Sequence, residues 1–239
     1  MKKILFIVPM HLAFDSFINP PSNARNFMKK DGKYYNSLAT DLPLGPLSMS
    51  SYLKKHIKVD VRLIDFNVEI NSEETFPFKS FYDYCKEFLN NYDYNPDIIG
   101  VSSLFSPSFN NFLDCGKVAK TIFKSSFVIG GGNIPTNSYK YIYSDLDCDF
   151  YDALCYGEGE KPLLELLKSK NKKKYISNSS SWITREKVRE KKQLLIPKHN
   201  FINDLDEIPF YDYDLPDPKK HGVNPVMSAY ATLENQKGF

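Results

Sequence analysis

Three short stretches hold the residues whose types and spacing could do chemistry. Gly130-Gly131-Gly132 closes the apolar run "FVIGG", Gly157-Glu158-Gly159-Glu160 closes "DALCYG", and Ser102-Ser103-Leu104 closes "DIIGVSS". Glycines at strand ends remove side chains, so that a ligand can lie against bare backbone. The serines add small hydroxyls beside it, and Glu158 and Glu160 flank the start of the next helical pattern, where acidic residues are favoured. One glycine-rich strand end makes a turn and needs no ligand. Two of them beside a serine end, in one sheet, point to a long ligand laid across neighbouring strand ends.

The ligand classes with recognisable loops are excluded. No G-x-G-x-x-G follows the first apolar run and no G-x-x-x-x-G-K-S/T occurs, which removes dinucleotides and triphosphates. The segment "IVPMHLAF" has neither the acidic cluster of a phospho-acceptor nor the hydroxyl-rich loop of a flavodoxin. Cys85, Cys115, Cys148 and Cys155 are scattered without C-x-x-C spacing and read as buried thiols, and His56, His199 and His221 have no partner at metal-ligand spacing. No catalytic or metal-ligating residue is assigned. With 31 basic and 29 acidic residues the net charge is +2, so no nucleic-acid partner is expected, and "KSKNKKKY" reads as a solvated loop. The opening "MKKILFIVPM" has too short an apolar core for a signal peptide and reads as a strand. No run approaches the roughly 20 apolar residues of a membrane span, so a cytoplasmic protein without a membrane partner is expected.

The elements that must position these residues alternate. Continuous apolar runs at Ile4 to Val8, Val61 to Phe66, Asp97 to Ser103, Phe127 to Gly131 and Asp152 to Gly157 read as parallel strands buried on both faces. Between them lie helical patterns. Phe78 to Tyr92 has one apolar face, and Ser106 to Phe123 has Ser106 as its expected N-cap and Pro107 at its first position. Shorter helices are expected at "LGPLSMSSYLKKH" and "EKPLLELLKS". This alternation predicts an α/β, doubly wound, flavodoxin-like parallel sheet of five strands in the order 2-1-3-4-5, with a small C-terminal extension. The expected domains are 1–168 for that Rossmann-like unit, 169–200 for a hairpin-like extension, and 201–239 for an acidic, aromatic linker and the start of something further. About 34 residues, Met10 to Pro43, separate the first strand from its helix, a length that usually has a purpose.

Taken in order, these residues resemble a family. Ser102-Ser103-Leu104 as S-x-L, Gly131-Gly132, "LPLGPLSMSSYLKK", "YGEGEKPLLELL" and "INDLDEIPFYDYDL" are similar to the N-terminal cobalamin-binding domain of B12-dependent radical SAM enzymes. The resemblance implies that cobalamin lies over the strand ends. Ser102, Ser103 and Leu104 would contact its nucleotide tail, Gly130, Gly131 and Gly132 would admit it, Leu44-Gly45 would form a loop over the corrin, and Gly157, Glu158 and Gly159 would close the far side. It also implies that this portion binds cofactor while a C-terminal radical SAM barrel, with a 4Fe–4S cluster and S-adenosylmethionine, carries the catalysis, often methyl transfer. Two departures stand out. The D-x-H-x-x-G of cobalamin mutases is absent around His11, so no histidine lower ligand is expected. The cluster motif C-x-x-x-C-x-x-C is absent too, and "VNPVMSAYATLENQKGF" reads as the first barrel strand of a fragment or an interrupted product. Two other readings of the same strand ends are a flavodoxin-like domain for another flat cofactor such as FMN, and a degenerate apo module used for interaction.

Overall fold

The run KKILFIV is apolar on both faces from Ile4 to Val8 and forms the interior strand β1 (Lys2–Val8), buried from Ile4 onward. In the computed structural model, which describes residues 1–22, 27–191 and 197–221, this strand is flanked on both sides. Parallel ladders join β1 to β4 (Val59–Asp65) and to β5 (Ile98–Ser102), and extend through β6 (Phe127–Gly131) to β7 (Ala153–Cys155). Parallel strands need crossovers, and the helical patterns supply them. These are α2 (Leu44–His56), α3 (Phe66–Ser72) with α4 (Phe81–Asn90), α5 (Phe109–Ile122), and α6 (Asn133–Lys140), which a π-turn prolongs. The helix α7 (Glu160–Lys168) follows β7.

The sheet is mostly parallel but has six strands, in the order β4-β1-β5-β6-β7-β8, where five were expected. The sixth, β8 (Trp182–Ile183), pairs antiparallel with β7. The hairpin expected in 169–200 is instead α8 (Lys172–Asn178), β8 and α9 (Arg185–Lys191). The physical reason is the edge of β7, whose unpaired backbone groups would otherwise face water; Trp182 and Ile183 cover it and are themselves buried. Ser106 does not cap α5. Ser106–Ser108 form a 3-10 turn, and the Ser108 hydroxyl is engaged with Phe105 O and Ser103 Oγ, leaving no side-chain cap on the helix.

The long first crossover folds on itself. It contains α1 (Phe14–Ile18) and a hairpin of β2 (Phe27–Lys30) with β3 (Lys33–Asn36), turned by Asp31 and Gly32, both at positive φ. Lys30 ties the hairpin to α3 through the Asn71 and Glu73 carbonyls. Two cores result. One face of the sheet packs on α4 and α5 through residues such as Leu5, Ile7, Cys85, Phe112 and Val118. The other packs on α2 and α7 through Ile4, Phe6, Ile129, Leu163 and Leu166.

The segment from 197 to 217 is an extended strap along this second layer. Ile202 is buried in the core, and Asp212 accepts from Ser50 Oγ at 2.5 Å and pairs with Lys54 at 2.5 Å, while its own N–H bonds Leu47 O. The chain then forms α10 (Pro218–His221), which rests on α3. Asp65 caps α3 by accepting the Asn67 N–H with Oδ1, and its other oxygen, Oδ2, lies 3.7 Å from His221 Nε2. The barrel strand expected from residue 223 on lies outside the described residues. Among the described residues no helix is long and apolar enough to cross a membrane.

Burial opposes a charge on His221, but the Asp65 carboxylate and the Asp217 carbonyl outweigh it and raise its pKa. A raised folded-state pKa stabilises fully below the unfolded value and fades as pH climbs through the folded one. Melting temperature should therefore be higher in the parent than in His221→Gln at about pH 6, the gap closing above the unfolded value of roughly 6.5. A gap that stays constant from pH 6 to 9, or widens, would show that the Asp65–His221 pair does not hold α10.

Candidate functional site

Alternation along β5 and β6 decides what faces the α2–α7 layer. Gly100 and Ser102 of β5 face it, in register with Ile129 and Gly131 of β6, and Phe6 of β1 continues the lower row. The upper row is thus a serine beside a glycine, with no bulk at the carboxyl end of the strands. A slot of about 210 Å³ opens there between sheet and helices. Its helix wall is Gly45 and Met49 of α2 with Glu160 and Leu163 of α7, and Cys155 and Trp182 close the end under β8.

The three successive glycines do three different things. A Cβ on Gly130 would point to the opposite layer and meet Leu154 Cδ2 and Phe112 Cζ at 2.7 Å each. A Cβ on Gly131 would have nothing within 4 Å, because it would stand in the slot. Gly132 has φ +98°, and a Cβ there would lie 2.5 Å from the Ser103 carbonyl oxygen. That close approach lets the β5 and β6 loops bond each other, with Ser103 N donating to Gly131 O at 3.0 Å and Ile134 N to Ser103 O at 3.2 Å.

The other expected residues divide similarly. Ser102 lines the slot, whereas Ser103 turns to the other layer and shares a 2.6 Å hydrogen bond with Ser108. Leu104 stands 57% exposed after β5 and Leu44 is exposed at the start of α2; neither lines the slot, whereas Gly45 does. Gly157, Glu158 and Gly159 line the slot as well. Gly157 has φ +80° with the His199 ring packed against it, and Gly159 leaves room for Met49, whose Sδ would be 2.6 Å from a Cβ. Glu158 is also a tether for the strap: its Oε2 accepts from Ile202 N at 3.3 Å, and nearby Lys161 Nζ donates to Phe201 O at 3.1 Å. Glu160 accepts from Ser48 Oγ at 2.7 Å, joining α7 to α2 across the slot.

Several slot residues lay outside the sequence reading. Gly100 could have been found, since a glycine inside a strand marks a close approach; its missing Cβ would be 3.1 Å from Phe6 Cδ1. Met49, Leu163 and Trp182 looked like ordinary core residues and gave no such signal. Cys155 is no nucleophile: burial, with the Glu160 carboxylate adding to it, pushes its thiol up to about 12, and Sγ donates to Glu158 O at 3.6 Å. His11 follows β1, edge-on to Phe105 at 4.8 Å, and burial pushes its pKa down against the pull of Asp65 and Asp41. Among the described residues no cluster of three or more His, Cys, Asp or Glu side chains is arranged to hold a metal ion.

Gly130 and Gly131 should therefore separate in a stability measurement. Gly130→Ala overpacks the α5 layer and should cost about 1–3 kcal/mol. Gly131→Ala should leave denaturant midpoints unchanged or slightly raised. The reverse order would mean the strand faces are misassigned.

In comparison with protein families, residues 41–167 match the family described as B12 binding domain. No curated protein matches the chain.

Proposed function

We propose a function from one premise: the chain belongs to the B12 binding domain family, whose match covers more than half its length. Membership supports cobalamin as the ligand, and a slot of about 210 Å³ leaves room for the base of its nucleotide tail. In our reading the nucleotide tail descends between sheet and helices, past the Ser102 hydroxyl and against Gly131, while the corrin lies over the strand ends beside Leu44, Gly45 and Leu104. The observation that carries this is the open space at Gly131, where a Cβ would have nothing within 4 Å, as at Gly45 on the helix wall, while Gly100, Gly157 and Gly159 around the same slot are crowded by side chains. Gly130 and Gly132 would act by shaping the strand end, Ser103 by bonding its loop, and Gly157, Glu158 and Gly159 by closing the slot under the strap. Cobalamin, once bound, supplies organometallic group transfer at cobalt; the protein supplies its position and surroundings.

No histidine lower ligand is proposed. His11 lacks the D-x-H-x-x-G setting, and its ring packs against Phe105. The wider role we propose is the cofactor-holding part of a radical SAM enzyme of the methyl-transferring kind, in which a partner barrel provides the 4Fe–4S cluster and S-adenosylmethionine. Support comes from the resemblance of Leu42–Lys55, Tyr156–Leu167 and Ile202–Leu215, the last of these being the strap itself.

Hydroxocobalamin titration tests the first part. The parent should bind with a corrinoid spectrum and not a flavin one. Gly131→Val puts three carbons into the slot and should weaken binding at least tenfold, about 1.4 kcal/mol, with the melting temperature preserved. Ser102→Ala should do less, since one neutral hydrogen bond is worth roughly 0.5–1.5 kcal/mol. Unaltered binding by a folded Gly131→Val would sink the slot assignment. Electron paramagnetic resonance of the Co(II) form should show no nitrogen splitting; splitting that disappears in His11→Ala would make His11 the lower ligand.

The radical SAM role has a separate test in the DNA that follows codon 239. It should encode C-x-x-x-C-x-x-C, in the same frame or in an adjacent one. A stop codon there with no such motif in the neighbouring genes would refute that role and leave cobalamin binding standing.

A further inference from the structure

We infer that the slot sorts corrinoids by the base that ends their tail, accepting a benzimidazole-type base and rejecting a purine. This rests on the reading that the tail enters the slot, and adds the chemistry of the tail's far end. Size comes first. A dry cavity of about 150 Å³ holds benzene, so 210 Å³ open at one side suits a flat, fused two-ring system.

The polar groups are distributed unevenly along the slot's depth. Near the mouth stand the Ser102 hydroxyl and the Glu158 and Glu160 carboxylates, the first carboxylate tied to Ile202 N and the second to Ser48 Oγ. One pleat deeper the row is Phe6, Gly100 and Ile129, faced by Leu163 of α7. These side chains offer only carbon. The backbone of that row is consumed by the β1–β5–β6–β7 ladders. The Cys155 thiol turns its hydrogen to Glu158 O. The Trp182 indole N–H, buried without a hydrogen-bond partner, lies toward the Tyr175 hydroxyl of α8, which is not a slot residue.

A base entering by its glycosidic nitrogen presents its far ring to this deep row. In a benzimidazole that ring is all carbon, and methyl groups on it meet Phe6, Ile129 and Leu163. In a purine the same ring carries two nitrogens and an exocyclic amino or oxo group. Each would leave water for a wall with no donor or acceptor, which is costly for a buried polar group. Apolar walls thus discriminate by refusing to pair.

The test is a titration of the full chain with three corrinoids in the same upper-ligand state. They are cobalamin, the cobamide bearing adenine in place of dimethylbenzimidazole, and cobinamide, which has no nucleotide. Each affinity is corrected for the cost of detaching that base from cobalt, measured free in solution. Cobalamin should bind at least tenfold tighter than the adenine cobamide, and cobinamide should bind weakly. Equal corrected affinities for the two cobamides, with cobinamide weak, overturn base selection and leave the tail in the slot. Cobinamide binding as tightly as cobalamin, or no corrinoid binding at all, overturns the slot reading itself and the inference with it. Leu163→Asn places an amide at the deep row and should narrow the gap to below about threefold; an unchanged gap in the folded variant overturns the placement of the base, and if the variant does not fold the parent ratio decides alone.

Discussion

A slot between a sheet and its covering helices requires that two adjacent strands lose bulk in the same row on the same face. Layers in a protein interior close to crystal-like density wherever side chains allow it. Here Ser102 and Gly131 are register partners, so the reduction in volume is contiguous and lies at the carboxyl edge. Were Gly131 on the other face, as Gly130 is, the missing Cβ would be filled by Phe112 and Leu154 and no space would remain. Everything else about the site follows from keeping α2 and α7 from collapsing into that gap.

The helices are held by polar contacts that work at fixed distance. The buried face of α2 carries Ser48, Ser50 and Ser51, unusual for a core helix, and two of them have partners on other elements. Ser48 reaches Glu160 on α7, and Ser50 reaches Asp212 on the strap. Apolar side chains in those places would gain by sliding inward, whereas a hydrogen bond is satisfied at one separation and lost on either side of it. Asp212 also joins Lys54, so the strap grips α2 on two of its turns, and Glu158 grips the strap in return. The pieces form a closed loop of constraints: β7 loop to strap, strap to α2, α2 to α7.

How much of this was legible in the sequence depends on the range of the interaction concerned. The parallel strands were readable because five continuous apolar runs imply burial on both faces, a property of each run alone. The two-residue strand β8 was not, since Trp182-Ile183 is too short for a period and pairs only because β7 offers an edge. Gly130, Gly131 and Gly132 read as one feature, yet the pleat sends them to different neighbours. Ser103 was paired with Ser102 by adjacency, and the same pleat turns it to Ser108. The N-cap expected at Ser106 failed for a local reason: Pro107 led a 3-10 turn, and the next serine's hydroxyl had a closer acceptor.

The family match also has a boundary with structural meaning. Residues 41–167 contain both helices of the slot and most of its sheet wall, but neither Phe6 nor Trp182. Phe6 comes from β1, the strand on which both β4 and β5 pair, and Trp182 from the added edge strand. The strap that pins α2 lies beyond the match as well. A ligand in the slot therefore touches a surface assembled from the matched domain and from elements on both sides of it in the chain. The matched core provides the empty row and most of the deeper wall, while the flanking elements add Phe6 and Trp182 to that wall and the strap contacts that hold α2.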